Sequence, residues 1–375
     1  MSLPTPDRLG FIDLHLLQVL PYANVNRDEV GTPKSAVYGG ALRARVSSQS
    51  WKRAARDLME VGAADEALRT KRIGGEIVAV LMHDGWSEAA AILAATGLLD
   101  ATGLKTGKGK DVLSSTVLVY LTRSQIAGLA ALAEVHRGDF DTAVDAGKAA
   151  KVTFDQAAVR GILSQVRGTV ALLGRMLAAV PGSQVDSAVQ VMHALTTHAA
   201  EIEVDFFTAV DDLAPSTEPG AGMMGGLEHT SGTFYRYLTI DLDALVSNCA
   251  GDADMARRLA NDFLEAMTMS VPGGKKASTA PQTAPDLALV NVRKDRPVNL
   301  VGAFERPIRS NDGHLVRSVE ALAAYRTRVQ ELWAGDGETW SSWAGTIDDV
   351  SGLGDRARRF GDLFTGALDH AFGDA

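Results

Sequence analysis

The chain has a single cysteine, Cys249, in 375 residues. That excludes an internal disulfide and a cysteine-built zinc site, and it suits a reducing compartment. No apolar run approaches the ~20 residues that a membrane-spanning helix needs. The opening Met1-Ser2-Leu3-Pro4-Thr5-Pro6-Asp7 lacks the basic and apolar regions of a secretion signal. A cytoplasmic protein with no membrane partner is the expectation. Catalytic signatures are missing too: there is no Gly-x-Ser-x-Gly elbow, no Cys/His pair and no dinucleotide fingerprint. The loop from Gly103 to Lys110 is rich in Gly and Lys, but it lacks the Gly-Lys-Ser/Thr ending of a phosphate-binding loop. His193 and His198 are five apart, which is not the shared helical face of a metal pair. Asp211 and Asp212 are neighbours in an extended segment and point to opposite sides. The reading is therefore not an enzyme, with no metal and no cofactor.

Against these absences stands one concentrated feature. Between Arg27 and Arg56 lie seven basic residues (Arg27, Lys34, Arg43, Arg45, Lys52, Arg53, Arg56) and two acids (Asp28, Glu29), a local net of +5. The whole chain carries −9, so everything outside that stretch carries −14. A pI near 5.4 argues against general coating of DNA, so a polyanion contact should be confined to a groove. Leu42, Ala44 and Val46 alternate with Arg43 and Arg45, the pattern of a strand with one apolar and one basic face. Ser47 and Ser48 are good helix caps. Beyond them Gln49, Lys52, Arg53 and Arg56 share one helical face, while Trp51, Ala54, Ala55 and Leu58 face inward. Acids are missing where ion pairing would need them, which favours polyanion binding over a merely solvated basic face.

Elsewhere, residues 11–20 read as a strand with Ile12, Leu14 and Leu16 on its core face and His15 on the other. Residues 21–40 form a long connection of the kind that tends to carry function. From Asp57 to about Ala179 the spacing is helical, resembling an insertion into an α+β domain. Residues 185–198 read as a helix. The segment from Asp205 to Gly226 reads as a protruding arm; its Phe206 and Phe207 either bury in the parent domain or stack on bases. Residues 232–242 read as a strand, 254–269 as a helix, 287–292 as the last sheet strand, and 314–333 as an amphipathic helix. Trp340 and Trp343 read as packing residues. Two Gly/Lys turns, with Lys105, Lys108 and Lys110 in one and Lys275 and Lys276 in the other, are secondary candidates for nucleic-acid contact.

Several blocks together carry a resemblance: Asn26-Arg27-Asp28, Pro33-Lys34, Gly39-Gly40, Arg45-Val46-Ser47-Ser48-Gln49-Ser50-Trp51-Lys52-Arg53, Ala194-Leu195-Thr196-Thr197-His198, Asp205 to Leu213, and Ser231 to Tyr237. In order and separation they resemble the CasC family, the repeated crRNA-binding backbone subunit of the type I-E CRISPR surveillance complex, Cascade. The resemblance implies an α+β fold: a ferredoxin-like (RRM-like) palm with a large helical fingers insertion and a protruding thumb arm. The corresponding boundaries are 1–58 palm, 59–180 fingers, 181–199 palm helix, 200–233 thumb, and 234–375 the remaining palm with C-terminal helices. It also implies a helical oligomer along the crRNA spacer, presenting the guide to target double-stranded DNA in antiviral defence. Its partners would be other copies of itself, the large and small Cascade subunits and the guide-end caps. Carried over by position, Arg27, Lys34, Ser47, Gln49, Lys52, Arg53 and Arg56 would contact the guide, and Phe206, Phe207 and Thr208 would form the base-displacing thumb contact. The family often has Trp-Phe where this chain has Phe206-Phe207, which keeps a stacking surface and drops an indole donor. Two other readings stay open: a guide-dependent ribonuclease using Asp28, as in related type III backbone subunits, and a structural oligomer whose basic block binds an acidic protein partner.

Overall fold

A computed structural model describes residues 9–63, 65–107, 112–177, 180–209, 223–333 and 337–373. The chain divides into two compact units: Met1–Met59, Val189–Asp243 and Ala260–Ala375 form the first, Glu60–Ala188 and Ala244–Leu259 the second. The N-terminal strands are β1 (Phe11–Ala23), β2 (Ser35–Tyr38) and β3 (Ala41–Val46), followed by helix α1 (Ser48–Glu60). The second unit holds β4 (Ala67–Thr70) and β5 (Val119–Thr122). Then come β6 (Val189–Val191), β7 (Ala194–Thr196), β8 (Glu203–Ala209) and the long β9 (Met223–Asp241). The last three are β10 (Leu287–Arg293), β11 (Glu338–Gly345) and β12 (Asp355–Arg356).

In the first unit a mixed sheet runs β12-β11-β10-β1-β9-β7-β3-β2, with β6 and β8 also pairing to β9. All neighbours are antiparallel except β11 and β12. β1 lies at its middle, antiparallel to β10 and to β9. Ile12, Leu14 and Leu16 are buried as the alternation requires, yet Asp13, His15 and Leu17 on the opposite face are buried too. Both faces are covered from Phe11 to Gln18, so that part of β1 is interior. On one side Leu17, Tyr235, Leu289, Phe304, Leu322 and Trp343 form a common core. Some of the polar groups inside find partners from distant parts of the chain. The Tyr237 hydroxyl donates to Asp13 (2.8 Å), which also accepts the Val298 amide (2.8 Å), and His15 Nδ1 meets the Tyr235 hydroxyl at 2.8 Å.

The structure departs from the sequence expectation in several places. Residues 185–198 are not a helix, because Val189–Val191 and Ala194–Thr196 are short strands on β9. The β-branched residues Val189, Val191 and Thr196 lose rotamer freedom in a helix and fit a pleated, half-buried surface. Residues 287–292 are not the last sheet strand: β11 pairs along the whole of β10, and β12 along β11. Trp343 of β11 is buried in the core. The basic face expected of β3 holds only at Arg45. Leu42 is exposed, and Arg43 is wholly buried, donating to the carbonyls of Thr196 (2.9 Å), Phe304 (2.9 Å), Tyr38 (3.2 Å) and Glu305 (3.3 Å).

The second unit is mostly helical, as the spacing predicts, with the two-stranded β4–β5 pair added. Ile77, Leu81, Ala91, Ala94 and Leu98 of the helices Ile73–His83 and Glu88–Thr102 share its core. Ser87 caps the second of these, and Thr122 with Gln125 forms a capping box on the helix Arg123–Glu134.

Candidate functional site

The connection between β1 and β2 is held in shape by its own polar side chains. Asp28 Oδ1 accepts the amides of Val30 (3.0 Å) and Thr32 (2.9 Å), closing a turn. Asn24 donates to the carbonyls of Gly31 (2.9 Å) and Glu228 (2.8 Å), fastening the loop to β9. The Tyr22 ring stacks on His229 of β9 at 4.6 Å between centroids. Asn26 reaches forward instead: its Oδ1 accepts the Ser47 amide at 2.8 Å. A second turn joins them, since a Cβ on Gly274 would lie 2.5 Å from the Val25 carbonyl oxygen. Lys275, at φ +51°, and Lys276 therefore stand beside this loop.

The first turn of α1 has four amides to satisfy. Ser47 caps it, accepting the Ser50 amide at 3.3 Å. The Ser47 amide goes to Asn26 and the Ser48 amide to His193 Nδ1 at 3.0 Å. The Gln49 amide has no partner among the described residues, so one helix-terminal donor is left for an anion. Trp51 and Ala55 bury the inner face, with the Arg236 guanidinium 3.6 Å over the Trp51 ring. Arg236 is itself buried without a carboxylate partner among the described residues, and burial pulls its pKa down to about 9. Ala54 is half-buried, and Leu58, expected inside, is exposed.

The basic side chains fall into two groups. Arg27, Lys34, Arg45 and Lys52 have no carboxylate partner among the described residues, and Lys34, Arg45 and Asn26 line one shallow cleft with Thr230 and Phe234. Arg53 and Arg56 share Asp57, at 3.6 and 2.9 Å. That acid lies one residue beyond the cationic stretch, so the expected lack of pairing acids does not extend to these two. His193, considered in the sequence only as a metal ligand, sits among the first group. Partial burial and the charges of Arg45, Lys34 and Lys52 hold its pKa below the usual histidine range. No sequence signal marked it, because its location depends on β7 pairing with β3.

The arm is the ribbon of β8 with the first part of β9, in register from Glu203↔His229 to Ala209↔Met223. β1 leaves β9 at Thr230, so beyond that point the ribbon has only its own two strands among the described residues. Strand alternation separates the two phenylalanines. Phe207 folds over its cross-strand partner Gly225, where a Cβ would lie 2.6 Å from the ring. Phe206 is on the other face and 81% exposed, beside Val204 (53%) and Met224 (75%). Thr208 shares that face by register.

Of the secondary candidates, Lys105 is an exposed residue of the second unit, whereas Lys108 and Lys110 lie outside the described residues, as does the Asp211-Asp212 pair. No group of three or more His, Cys, Asp or Glu suited to a metal occurs among the described residues. None of the described helices is long and apolar enough to cross a membrane.

Fold and site together define a class: an α+β protein with a cationic loop and helix and a two-stranded ribbon that carries an exposed aromatic ring. The chain is similar, at a TM-score of 0.90 and 39% identity, to a chain of a solved "CRISPR RNA-guided surveillance complex, pre-nicking", covering 96% of this chain and 100% of that one. It is similar to a chain of a second "CRISPR RNA-guided surveillance complex" at a TM-score of 0.79 and 33% identity, covering 96% and 99%. A comparison with curated proteins gives no match. Residues 12–360 match the family described as CT1975-like protein (Cas_CT1975), and the chain belongs to that family.

Proposed function

We propose that the chain is the repeated backbone subunit of a type I-E CRISPR surveillance complex, gripping guide RNA in the cytoplasm. The observation that carries this reading is the 39% identity over 96% of the chain to a chain of a CRISPR RNA-guided surveillance complex. The site chemistry supports it. Four cations and a helix-terminal amide that are unpaired among the described residues suit the phosphates of a single strand, which are read as backbone rather than as sequence. The first unit acts as the ferredoxin-like palm, the second unit as fingers, and the β8–β9 ribbon as the thumb. Copies assemble along the crRNA, Phe206 supplies the ring that displaces a base, and target DNA is recognised by pairing with the guide. The large and small subunits and the guide-end caps complete the particle. No catalysis is assigned: Asp28 Oδ1 is occupied by two backbone amides, which gives that carboxylate a turn-forming role.

The test is to purify the protein from cells that carry a CRISPR array and analyse the bound nucleic acid. RNA of uniform length is the expected result. RNA-free protein that assembles through an acidic protein partner would overturn the reading.

A further inference from the structure

His193 follows β6 and precedes β7, and the pairing of Ala194 with Val46 brings it level with Ser47 and the start of α1. Its ring is exposed. Nδ1 accepts the Ser48 amide at 3.0 Å, and the Arg45 guanidinium approaches the same nitrogen at 3.5 Å. A ring nitrogen that accepts a hydrogen bond carries no proton, so the neutral imidazole bears its hydrogen on Nε2. Nε2 has no partner among the described residues. The groups facing the ring are Arg45, Lys34, Lys52 and the Ser48 amide, with no carboxylate among them.

We propose that His193 is a direct contact for the sugar–phosphate backbone of the bound RNA, donating its Nε2 hydrogen to a phosphate oxygen as an uncharged member of the cationic cluster. This rests on the guide-binding reading above and adds a residue to it. The arrangement has a physical logic. A fourth cation beside Lys34, Arg45 and Lys52 would raise their mutual repulsion in the RNA-free chain, whereas a neutral donor adds direction without charge. The Ser48 amide also belongs to the helix terminus, where donors carry partial positive charge. By donating into Nδ1 it polarises the imidazole, so the ring relays the helix-terminal donor outward to the anion.

The experiment measures binding of a labelled single-stranded RNA to the full-length chain by fluorescence anisotropy, from 50 to 200 mM salt, at pH 7 and pH 8. Four variants are compared with the parent: His193→Asn, His193→Gln, His193→Ala and Lys52→Ala. Asn keeps an acceptor for the Ser48 amide and loses the outer donor; Gln keeps a donor near Nε2. The proposal expects His193→Asn and His193→Ala to weaken binding about three- to tenfold, as loss of a hydrogen bond to a charged group does. The salt slope stays unchanged because no cation has been removed. His193→Gln recovers part of the affinity, and the contribution of His193 is equal at the two pH values. Parental affinity in His193→Asn overturns the proposal. So does a slope reduced by about 0.7 in His193→Ala, the signature of a lost cation. The Lys52→Ala arm separates the two levels: if it weakens binding while His193→Asn does not, only the histidine assignment fails. If neither matters, the site assignment fails with it.

Discussion

Removing Lys52 and removing Arg56 should have unequal consequences, although both belong to one basic helix. Lys52 has no acid partner among the described residues, whereas Arg56 is 2.9 Å from Asp57 and Arg53 is 3.6 Å from the same carboxylate. For a single strand each neutralised phosphate contributes about 0.7 to the slope of log affinity against log salt. Four unpaired cations (Arg27, Lys34, Arg45, Lys52) thus predict a slope near −2.8, or a loss of about 50-fold between 50 and 200 mM salt. Lys52→Ala should bring the slope to about −2.1 and the loss to about 20-fold. Arg56→Ala should change it less, because part of that charge is already offset by Asp57. The decisive variant is Asp57→Asn, which releases the shared carboxylate and should steepen the slope and tighten binding. Anisotropy with labelled single-stranded RNA reads all three. An unchanged slope in Lys52→Ala, or weaker binding in Asp57→Asn, would refute the reasoning.

Three further outcomes are expected. Phe206→Ala should leave the melting temperature within a degree or two, since an exposed ring contributes little to folding, while reducing RNA-guided target binding by the assembled particle; Phe207→Ala should lower the melting temperature by uncovering Gly225. Arg43→Met should cost about 3 kcal/mol or more in denaturant unfolding, because at least two buried carbonyls lose their donor and each such loss costs about 1–3 kcal/mol. Asp13 is wholly buried, and desolvation pushes its pKa up from 3.8 to about 7. The folded chain therefore keeps a proton that the unfolded chain releases above pH 3.8, and stability should fall as pH rises from about 4 to about 7. Urea midpoints for Asp13→Asn and the parent should diverge across that window, and parallel profiles would count against the assignment.

What the sequence disclosed and what it hid divide by range of interaction. β1 was legible because Ile12, Leu14 and Leu16 alternate over a run long enough for periodicity to speak. Burial of Asp13 and His15 on its other face was not, since Tyr237 and Tyr235, which satisfy them, arrive from more than two hundred residues away. The start of α1 was legible in Ser47 and the positions of Trp51 and Ala55. Arg43 was misread as surface because its acceptors are carbonyls from three other parts of the chain, with no side-chain signature. Residues 185–198 deceived for a similar reason: short strands of three residues leave too little alternation to outweigh a helical reading. The phenylalanine pair lies in the β8–β9 ribbon, where strand alternation makes the two rings unequal. His193 emerged only when β7 was paired with β3.

The most direct test of the central claim is a cryo-EM reconstruction of the assembled particle with its RNA. The account predicts phosphate oxygens within hydrogen-bonding distance, about 3 Å, of the Gln49 amide and the Lys52 ammonium. Arg27, Lys34 and Arg45 should line the same strand. Finding these groups in open solvent, or paired with protein carboxylates away from any nucleotide, would contradict it.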